Sequence, residues 1–323
     1  MDDKSKKVEF HPILMHFAAR FSDKTYKDFA SDYRVLVETN IKCMEYFKTD
    51  AVSVISDPYR ETSAFGARIE YPPEGVPRCL DKLVSTYEDV KALNNPDVYK
   101  AERTKDRIEG VKYYRKLLGP SANIIGWVEG PLAEACDLTG LSEMLMKLSL
   151  EPDFSEAIME KCLITAKDFA KAQVEGGCNI IGVGDAICSQ VSAEMYRQSV
   201  LKLHKELFAY IHSLKAKVKL HICGNITHLL DDIKKTDPDI VDIDWMVDMY
   251  AAHQKLGPRI SLSGNLDPVS VIERMSPEEV YKAAKKLIEN EKGKNFIMSG
   301  GCEITVRTPK ENLLAITRAV NGE

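Results

Sequence analysis

The segment "NIIGVGD" at residues 179–185 is a short run rich in isoleucine and valine that ends in a glycine and an aspartate. Similar runs, also rich in Val and Ile, occur at residues 51–56, 123–130, 218–224, 240–245, 260–265 and 295–301. Apolar runs bounded by Gly, Asn or Asp are typical of strands that are covered on both faces, and such strands form parallel sheets. The seven runs therefore predict a buried parallel β-sheet.

The stretches between these runs have helical periodicity. From Tyr26 the apolar positions step by three and four residues as far as Val37, which places them on one helix face. The segments "SPEE" (276–279) and "TPKE" (308–311) each combine a capping Ser or Thr, a proline at the next position and a Glu three residues on. These are capping-box patterns, so helices are predicted to begin at Pro277 and Pro309.

Strands that alternate with helices predict a single (β/α)8 TIM barrel, an α/β fold that takes up residues 1–323 as one domain. An eighth strand is expected near "ILMHF" (13–17). The prediction includes an N-terminal helical extension and a small hairpin or lid insertion between Pro58 and about Pro77. A doubly wound open sheet is the alternative, because the order of strands cannot be deduced from one sequence.

The composition excludes several classes of protein. The chain has 323 residues, of which 44% are hydrophobic and 29% charged, as is typical of soluble globular proteins. A net charge of −5 without a Lys/Arg-rich block gives no reason to expect a nucleic-acid partner. We find no apolar run of ~18 residues that could span a membrane and no signal peptide. The eight scattered cysteines are therefore expected to be reduced, in a cytoplasmic protein without a membrane partner.

Polar residues stand at the C-terminal ends of nearly all the predicted strands. In a barrel these ends meet at one face, where the loops after the strands build the active site. We therefore predict an active site from this set: Asp57, Glu129, Asp185, His221 with Cys223, Asp244, Asn265 and Cys302. Trp127 and Trp245, by contrast, are expected in the core.

His221 and Cys223 are two residues apart on a strand, so their side chains point to the same side. Cys302 stands at the end of a later strand, which a barrel brings into the same space. One His with two Cys suits zinc, and three protein ligands leave the fourth position open for a substrate. Packed or hydrogen-bonded side chains are the alternative interpretation. Cys178 and Cys188 compete as ligands because they flank another strand end.

Longer segments carry a family resemblance over nearly the whole chain, among them "GWVEGPLAEACDLTG" (126–140), "HICGNITHLL" (221–230), "DIDWMVD" (242–248) and "SGGCEITVRTPKEN" (299–312). The chain resembles the uroporphyrinogen decarboxylase superfamily. Within that superfamily it is similar to the zinc-dependent, corrinoid-linked methyltransferases of the methylcobamide:thiol type. The resemblance implies a TIM barrel, with His221, Cys223 and Cys302 as the zinc ligands.

Two departures from the decarboxylases favour the methyltransferase branch. The arginine-rich segment with which decarboxylases hold porphyrin carboxylates is here "AARFSDKTY" (18–26), which keeps only Arg20. The turn in which decarboxylases carry a histidine reads "GGCE", with Cys302 in its place. Metal-independent decarboxylation of uroporphyrinogen, with Asp57 stabilising the protonated pyrrole, is the alternative function. A catalytically inert barrel with a structural zinc is a third.

The resemblance also implies a reaction and its partners. In such enzymes a zinc-bound thiol attacks a methyl group on the cobalt of a corrinoid, which a separate corrinoid protein carries. The methyl donor or acceptor is a small thiol or a methylated small molecule, and neither its identity nor the direction of transfer is fixed. Catalytic roles are expected for Asp57, Asp185 and Glu129. Substrate-binding roles are expected for a further set: Arg20, Asn225, Asp244 and Asn265.

Overall fold

The protein is described by a computed structural model over residues 8–72 and 75–323. Eight of its strands form one parallel sheet and the other two form a separate hairpin. In chain order the strands are β1 (Glu9–Phe10), β2 (Ala51–Ser53), β3 (Ile69–Glu70), β4 (Arg78–Cys79), β5 (Asn123–Glu129), β6 (Ile180–Gly184), β7 (Lys217–His221), β8 (Ile240–Ile243), β9 (Ser261–Leu266) and β10 (Phe296–Gly300).

The large sheet is a barrel. Its strand order is β1-β10-β9-β8-β7-β6-β5-β2, and every pair in it is parallel. The two end strands meet where the Asp50 amide donates a 3.0 Å hydrogen bond to the Phe10 carbonyl. The Phe10 amide in turn donates to the Asp50 carboxylate at 2.8 Å. The predicted (β/α)8 barrel is confirmed, and the open doubly wound sheet is wrong.

Helices surround the barrel and connect its strands. They are α1 (Met15–Phe21), α2 (Tyr26–Ser31), α3 (Tyr33–Phe47), α4 (Arg60–Ala64), α5 (Tyr87–Ala92), α6 (Glu102–Leu118), α7 (Pro131–Thr139), α8 (Leu141–Leu150), α9 (Pro152–Gly176), α10 (Ala193–Met195), α11 (Leu201–Ser213), α12 (Leu230–Ile233), α13 (Met249–Leu256), α14 (Pro277–Asn290) and α15 (Lys310–Asn321). Within the described residues, none of these helices is long and apolar enough to cross a membrane.

The strand predicted near residues 13–17 is wrong. The first strand is β1, and the helix α1 already begins at Met15. The apolar residues Leu14, Phe17 and Ala18 are buried, and their spacing of three and four residues fits a helix and not a strand. The predicted N-terminal helical extension therefore corresponds to the helices α1–α3, which connect β1 to β2.

The predicted hairpin and one of the two predicted helix starts are confirmed. β3 and β4 pair antiparallel, with Ile69 opposite Cys79. The hairpin thus lies where it was predicted, except that β4 follows Pro77 directly. The helix α14 begins at Pro277, and Ser276 and Glu279 form both hydrogen bonds of the capping box. The second helix, α15, begins one residue later than predicted, at Lys310. Its expected cap does not form, because the Thr308 hydroxyl lies 2.9 Å from the hydroxyl of Thr305.

The long helix expected from Tyr26 onward is interrupted. Asp32 has an extended backbone, with φ −130° and ψ 113°, and it separates α2 from α3. Its carboxylate accepts a hydrogen bond from the Arg34 amide and so caps α3. The apolar positions Phe29, Leu36 and Val37 are nevertheless fully buried, so the periodicity identified the buried face correctly.

One row of residues crosses the barrel near the C-terminal ends of the strands. Register pairs Glu129 with Gly184, Gly184 with His221, His221 with Asp242 and Asp242 with Ser263. Paired residues in a parallel sheet face the same side, so these side chains share one layer. The face at which the strands end, called the barrel mouth below, therefore opens directly above this layer.

Candidate metal centre at the barrel mouth

Three soft ligand atoms come together at the barrel mouth. His221 is the last residue of β7, Cys223 lies two residues further on, and Cys302 follows β10 by two residues. The His221 Nε2 atom is 2.9 Å from Cys223 Sγ and 3.9 Å from Cys302 Sγ, and the two sulfur atoms are 3.2 Å apart. The structure thus brings together the three residues that the sequence singled out.

The spacing of these atoms fits a tetrahedral zinc ion. Zn–S bonds of about 2.3 Å and Zn–N bonds of about 2.0 Å separate sulfur from sulfur by about 3.8 Å and nitrogen from sulfur by about 3.5 Å. The two nitrogen–sulfur separations, 2.9 Å and 3.9 Å, lie on either side of that value, and the sulfur–sulfur separation of 3.2 Å is shorter. Shifts of about half an ångström therefore accommodate the ion. Among the described residues no fourth His, Cys, Asp or Glu belongs to this group. The set therefore matches zinc sites that keep one position for a substrate.

The second ring nitrogen of His221 forms a hydrogen bond with Asp242. Its Nδ1 lies 3.0 Å from an Asp242 oxygen, and the other Asp242 oxygen lies 2.8 Å from the buried ammonium of Lys219. Lys219 also donates to the Ser263 hydroxyl at 3.3 Å. Although burial raises it, the pKa of Asp242 is held well below its usual range by Lys219 and His221. An ionised Asp242 fixes the proton on Nδ1 and leaves Nε2 free to bind a metal.

The pKa values of the two thiols are shifted in opposite directions. Hydrogen bonds from Cys223 and His221 lower the pKa of Cys302 to about 4, against the opposing effect of burial. The same hydrogen bond with Cys302, together with burial, raises the pKa of Cys223. The cluster therefore stabilises a thiolate on Cys302. Metal ligands bind as thiolates, and a bound cation replaces the protons that hold such a cluster together.

Asp244 lies between the segments that carry the two cysteines. One of its oxygens accepts a 2.6 Å hydrogen bond from the Gly224 amide, beside Cys223, and the other accepts from the Trp245 amide at 2.6 Å. A Cβ atom on Gly301 would lie 2.5 Å from the Trp245 nitrogen and 2.8 Å from Asp244. Only glycine lets the segment before Cys302 pass this close.

Asn265 supports the same region from β9. Its side-chain amide donates to the Val247 carbonyl at 2.9 Å and to the Asp244 carbonyl at 3.4 Å. The observed contacts of Asp244 and Asn265 are with the backbone of the loops around the three ligand atoms. Their substrate-binding roles stay predictions.

Asp57 and Glu129 each pair with a buried arginine. Asp57 forms an ion pair with Arg103 and accepts a 2.7 Å hydrogen bond from Ser56. Burial raises the pKa of Asp57, but Arg103 and Arg60 outweigh it and hold that pKa below its usual value. Glu129 accepts a 2.6 Å hydrogen bond from Arg60, which is fully buried. These two carboxylates lie in a buried ionic network.

Sequence reasoning missed most of that network. Arg60 and Glu61 belong to the short helix α4, and Arg103 belongs to α6, where charged residues are usually solvent-exposed. The Glu61 carboxylate accepts a 2.9 Å hydrogen bond from the backbone amide of Glu129. Glu303, next to Cys302, was also missed, and burial raises its pKa to about 7. The segment "DPYRE" (57–61), in which Arg60 and Glu61 follow Asp57 by three and four residues, was the one available signal.

Asp185 is fully buried and has its own partners. Its oxygens accept hydrogen bonds from the Leu132 and Ala133 amides in the first turn of α7, at 3.3 Å and 2.8 Å. One oxygen lies 2.9 Å from His204 Nε2, and His204 Nδ1 lies 2.9 Å from the Tyr196 hydroxyl. Asp185 therefore caps a helix and anchors α11, and its catalytic role stays a prediction.

The competing cysteines do not join the metal centre. Cys188 is close enough to Asp185 and His204 to form a second group of potential ligands, but all three are completely buried. The hydrogen bonds of Asp185 and His204 account for that group. Cys178 is buried beside Gly126. All eight cysteines lie in the described part of the chain, and none of them forms a disulfide.

Two of the predicted substrate-binding residues, Arg20 and Asn225, are exposed to solvent. Arg20 is exposed in the last turn of α1. Asn225 is exposed too, and its side-chain oxygen accepts a 3.0 Å hydrogen bond from the Thr227 amide. That bond closes a local turn after Gly224. The structure gives neither residue a contact with the metal centre, and their roles stay predictions.

Comparison with protein families and curated proteins gives a consistent assignment. The family model described as Uroporphyrinogen decarboxylase (URO-D) matches residues 4–322. The methylcobamide:CoM methyltransferase MtbA of Methanosarcina acetivorans is 29% identical over 82% of this chain and 77% of its own length. The uroporphyrinogen decarboxylase of Pelobacter propionicus is 24% identical over 98% of this chain and 95% of its own.

Solved structures agree on the fold. A methyltransferase from Methanosarcina mazei superposes with a TM-score of 0.89 at 20% identity, covering 100% of this chain and 95% of its own. A B12-independent methionine synthase from Shewanella sp. W3-18-1 superposes with a TM-score of 0.62 at 14% identity, covering 88% and 85%. At these identities the similarity shows a shared barrel architecture.

Proposed function

The chain belongs to the uroporphyrinogen decarboxylase family, and on that premise we propose that it is a zinc-dependent methyltransferase that moves a methyl group between a corrinoid and a small thiol. The observation that carries the proposal is the convergence of His221, Cys223 and Cys302, whose ligand atoms all lie within 4.8 Å of one another. A set of one imidazole and two thiols suits a zinc ion that binds one further thiol.

The relatives support the same choice of substrates. MtbA is named for a methylcobamide and for CoM, a thiol, and its similarity spans 82% of this chain. We therefore propose a methylcobamide-type corrinoid as co-substrate, carried by a corrinoid protein. The thiol itself and the direction of transfer are not part of the proposal.

The residues of this chain supply binding and orientation. A zinc ion bound by these ligands would lower the pKa of a substrate thiol and so provide a nucleophile near neutral pH. Asp242 and Lys219 hold the imidazole of His221 with Nε2 toward the sulfur atoms. Asp244 holds the Cys223 loop through the Gly224 amide and lies beside Gly301, which precedes Cys302. Orientation matters because a displacement at a methyl carbon needs the entering and leaving atoms in line.

The reaction balances as a simple displacement. In the direction of thiol methylation, the sulfur forms a bond to the methyl carbon while the cobalt–carbon bond breaks. Both electrons of that bond stay on cobalt, which changes from Co(III) to Co(I), and the thiol proton is released to solvent. No external oxidant or reductant is needed. The buried pairs Asp57–Arg103 and Glu129–Arg60 are proposed to set the electrostatic field of the mouth.

Decarboxylation of uroporphyrinogen is the second candidate, because decarboxylases of the same family align over 98% of the chain. Asp57 would then stabilise a protonated pyrrole. The metal centre speaks against it, since metal-independent decarboxylation has no use for three converging soft ligands. Conversion of uroporphyrinogen by metal-free protein would favour this candidate.

Metal content tests the proposed site directly. We expect about one zinc ion per chain in protein purified without chelators, by elemental analysis. Cys223→Ala and Cys302→Ala should each lose most of it. Cys79→Ala is the matched control, because Cys79 lies in the β3–β4 hairpin and its thiol donates to the Asp81 carbonyl. Zinc that persists in both ligand variants would contradict the assignment.

A further inference from the structure

An exposed tryptophan stands beside the metal centre. Trp245 retains 50% of its surface accessible, whereas Trp127 is buried at 3% inside the barrel. The core position expected for Trp127 is therefore confirmed, and that expected for Trp245 is wrong. The neighbouring Met246 is 45% exposed and Tyr250 is 66% exposed. Single exposed apolar residues are ordinary, but two consecutive ones beside a group of potential metal ligands are candidates for contact with a substrate.

The backbone of Trp245 lies close to the segments that carry both cysteines. Its amide donates to Asp244, whose other oxygen accepts from Gly224, directly after Cys223. On the other side, the Trp245 nitrogen lies 2.5 Å from the position of a Cβ on Gly301, directly before Cys302. The Trp245 backbone therefore lies near both segments that carry the cysteines, and its side chain is half exposed to solvent.

Met246 extends the same apolar surface over the Cys223 loop. Its Cε lies 3.9 Å from the position of a Cβ on Gly224. Trp245 and Met246 together are called the rim platform below. Both side chains of the rim platform are about half exposed, and they belong to residues that adjoin the segments of Cys223 and Cys302.

The geometry of methyl transfer determines where the corrin ring lies relative to the rim platform. If sulfur, methyl carbon and cobalt are in line, the corrin ring lies across that line and so across the barrel mouth. A broad flat ring in that position meets the side chains that rise from the mouth beside the metal. Flat aromatic side chains bind flat conjugated ligands by stacking and by apolar contact.

From this juxtaposition we infer that Trp245, with Met246, is the platform against which the corrin ring of the methylated corrinoid lies during transfer. The inference rests on the proposed function and names residues that position its larger substrate. The thiol binds at the metal, on the other side of the methyl group. Loss of the indole therefore weakens corrinoid binding and leaves thiol binding intact.

Direct binding and kinetics with free methylcobalamin test the platform. Trp245→Ala should raise the dissociation constant for methylcobalamin, measured by ultrafiltration, and its KM by about tenfold, which is the effect of about 1.4 kcal/mol. Zinc content and the KM for the thiol should not change. Trp245→Phe should restore binding to within about threefold of the unaltered protein, because it keeps an aromatic face. Tyr87→Ala removes a distant tyrosine with 43% exposure and serves as the control.

The possible failures are distinguishable. Unchanged methylcobalamin binding in Trp245→Ala, with turnover intact, would overturn the platform and leave the proposed function standing. Loss of zinc in Trp245→Phe as well as in Trp245→Ala would show that the residue acts only through the cysteine loops, which also overturns the inference. Zinc-loaded, unaltered protein that neither binds nor demethylates methylcobalamin would refute the proposed function, and the platform with it.

Discussion

His221 and Asp242 form a hydrogen bond of 3.0 Å across neighbouring strands, between Nδ1 of the imidazole and a carboxylate oxygen. Both residues are buried, and they belong to the same layer of the barrel. The contact decides which ring nitrogen carries the proton and therefore which one faces the sulfur atoms.

The first prediction concerns this hydrogen bond. Asp242→Asn should lower zinc affinity about 10- to 100-fold, because the neutral amide holds the imidazole less firmly and leaves Lys219 without a counter-charge. Competition with a chromophoric chelator measures the change. Asp248→Asn is the control, since Asp248 is an exposed cap of α13 and Asn caps a helix equally well. Equal zinc affinity in both variants would contradict the assigned role of Asp242.

The second prediction concerns the buried pair of Asp57 and Arg103. Asp57→Asn should lower the free energy of unfolding near neutral pH by about 3–5 kcal/mol, because a buried guanidinium loses its partner. Since the pKa of Asp57 is held below its unfolded value, its stabilisation is complete above that value, about 4, and is lost as the pH falls through the folded pKa.

Denaturant titrations at neutral and acid pH test both statements. The difference in unfolding free energy between the unaltered protein and Asp57→Asn should shrink as the solution is acidified. A difference that is constant or grows toward acid pH would show that Asp57 is not the titrating partner in that pair.

The third prediction separates structure from catalysis at Asp185. Its carboxylate caps α7 and binds His204, so Asp185→Asn should lower stability by about 1–3 kcal/mol. The kcat of the folded protein should stay within about threefold, which is far less than the roughly 10²–10⁴-fold loss of a general acid or base. A large fall in kcat with unchanged stability would instead favour the catalytic role that the sequence predicts.

The fourth prediction concerns the close passage at Gly301. Gly301→Ala places a methyl group against the Trp245 backbone, which must move and take the Cys302 loop with it. We expect zinc affinity to fall at least about tenfold. Gly176→Ala is the control, because a Cβ there meets its neighbours at 3.4 Å or more. A zinc affinity equal to that of the control would mean that the loop adapts without moving Cys302.

The strands and the meeting of His221, Cys223 and Cys302 could be predicted from signals along the chain. Apolar runs such as 179–185 identify buried strands, and parallel strands end at one face, which brings Cys302 toward His221. The choice of these residues over Cys178 and Cys188 depended on the family resemblance. The hydrogen bonds of the capping box at Ser276 depend on four consecutive residues, so that helix start was also predictable.

Contacts made between distant elements could not be predicted in this way. Asp185 follows β6 but caps α7, a helix that begins far earlier in the chain. The partner of Asp57, Arg103, comes from α6. Such contacts depend on packing, which pattern and propensity do not encode.

Thiol-dependent demethylation of methylcobalamin measures the proposed zinc-dependent methyl transfer directly. Zinc-loaded protein mixed with methylcobalamin and a small thiol such as coenzyme M should convert the absorption spectrum of the corrinoid from the methyl-Co(III) form to the Co(I) form under anaerobic conditions. Cys302→Ala should abolish the conversion, whereas Cys79→Ala should not. An unchanged spectrum with a range of thiols, or full conversion by zinc-free protein, would contradict the account.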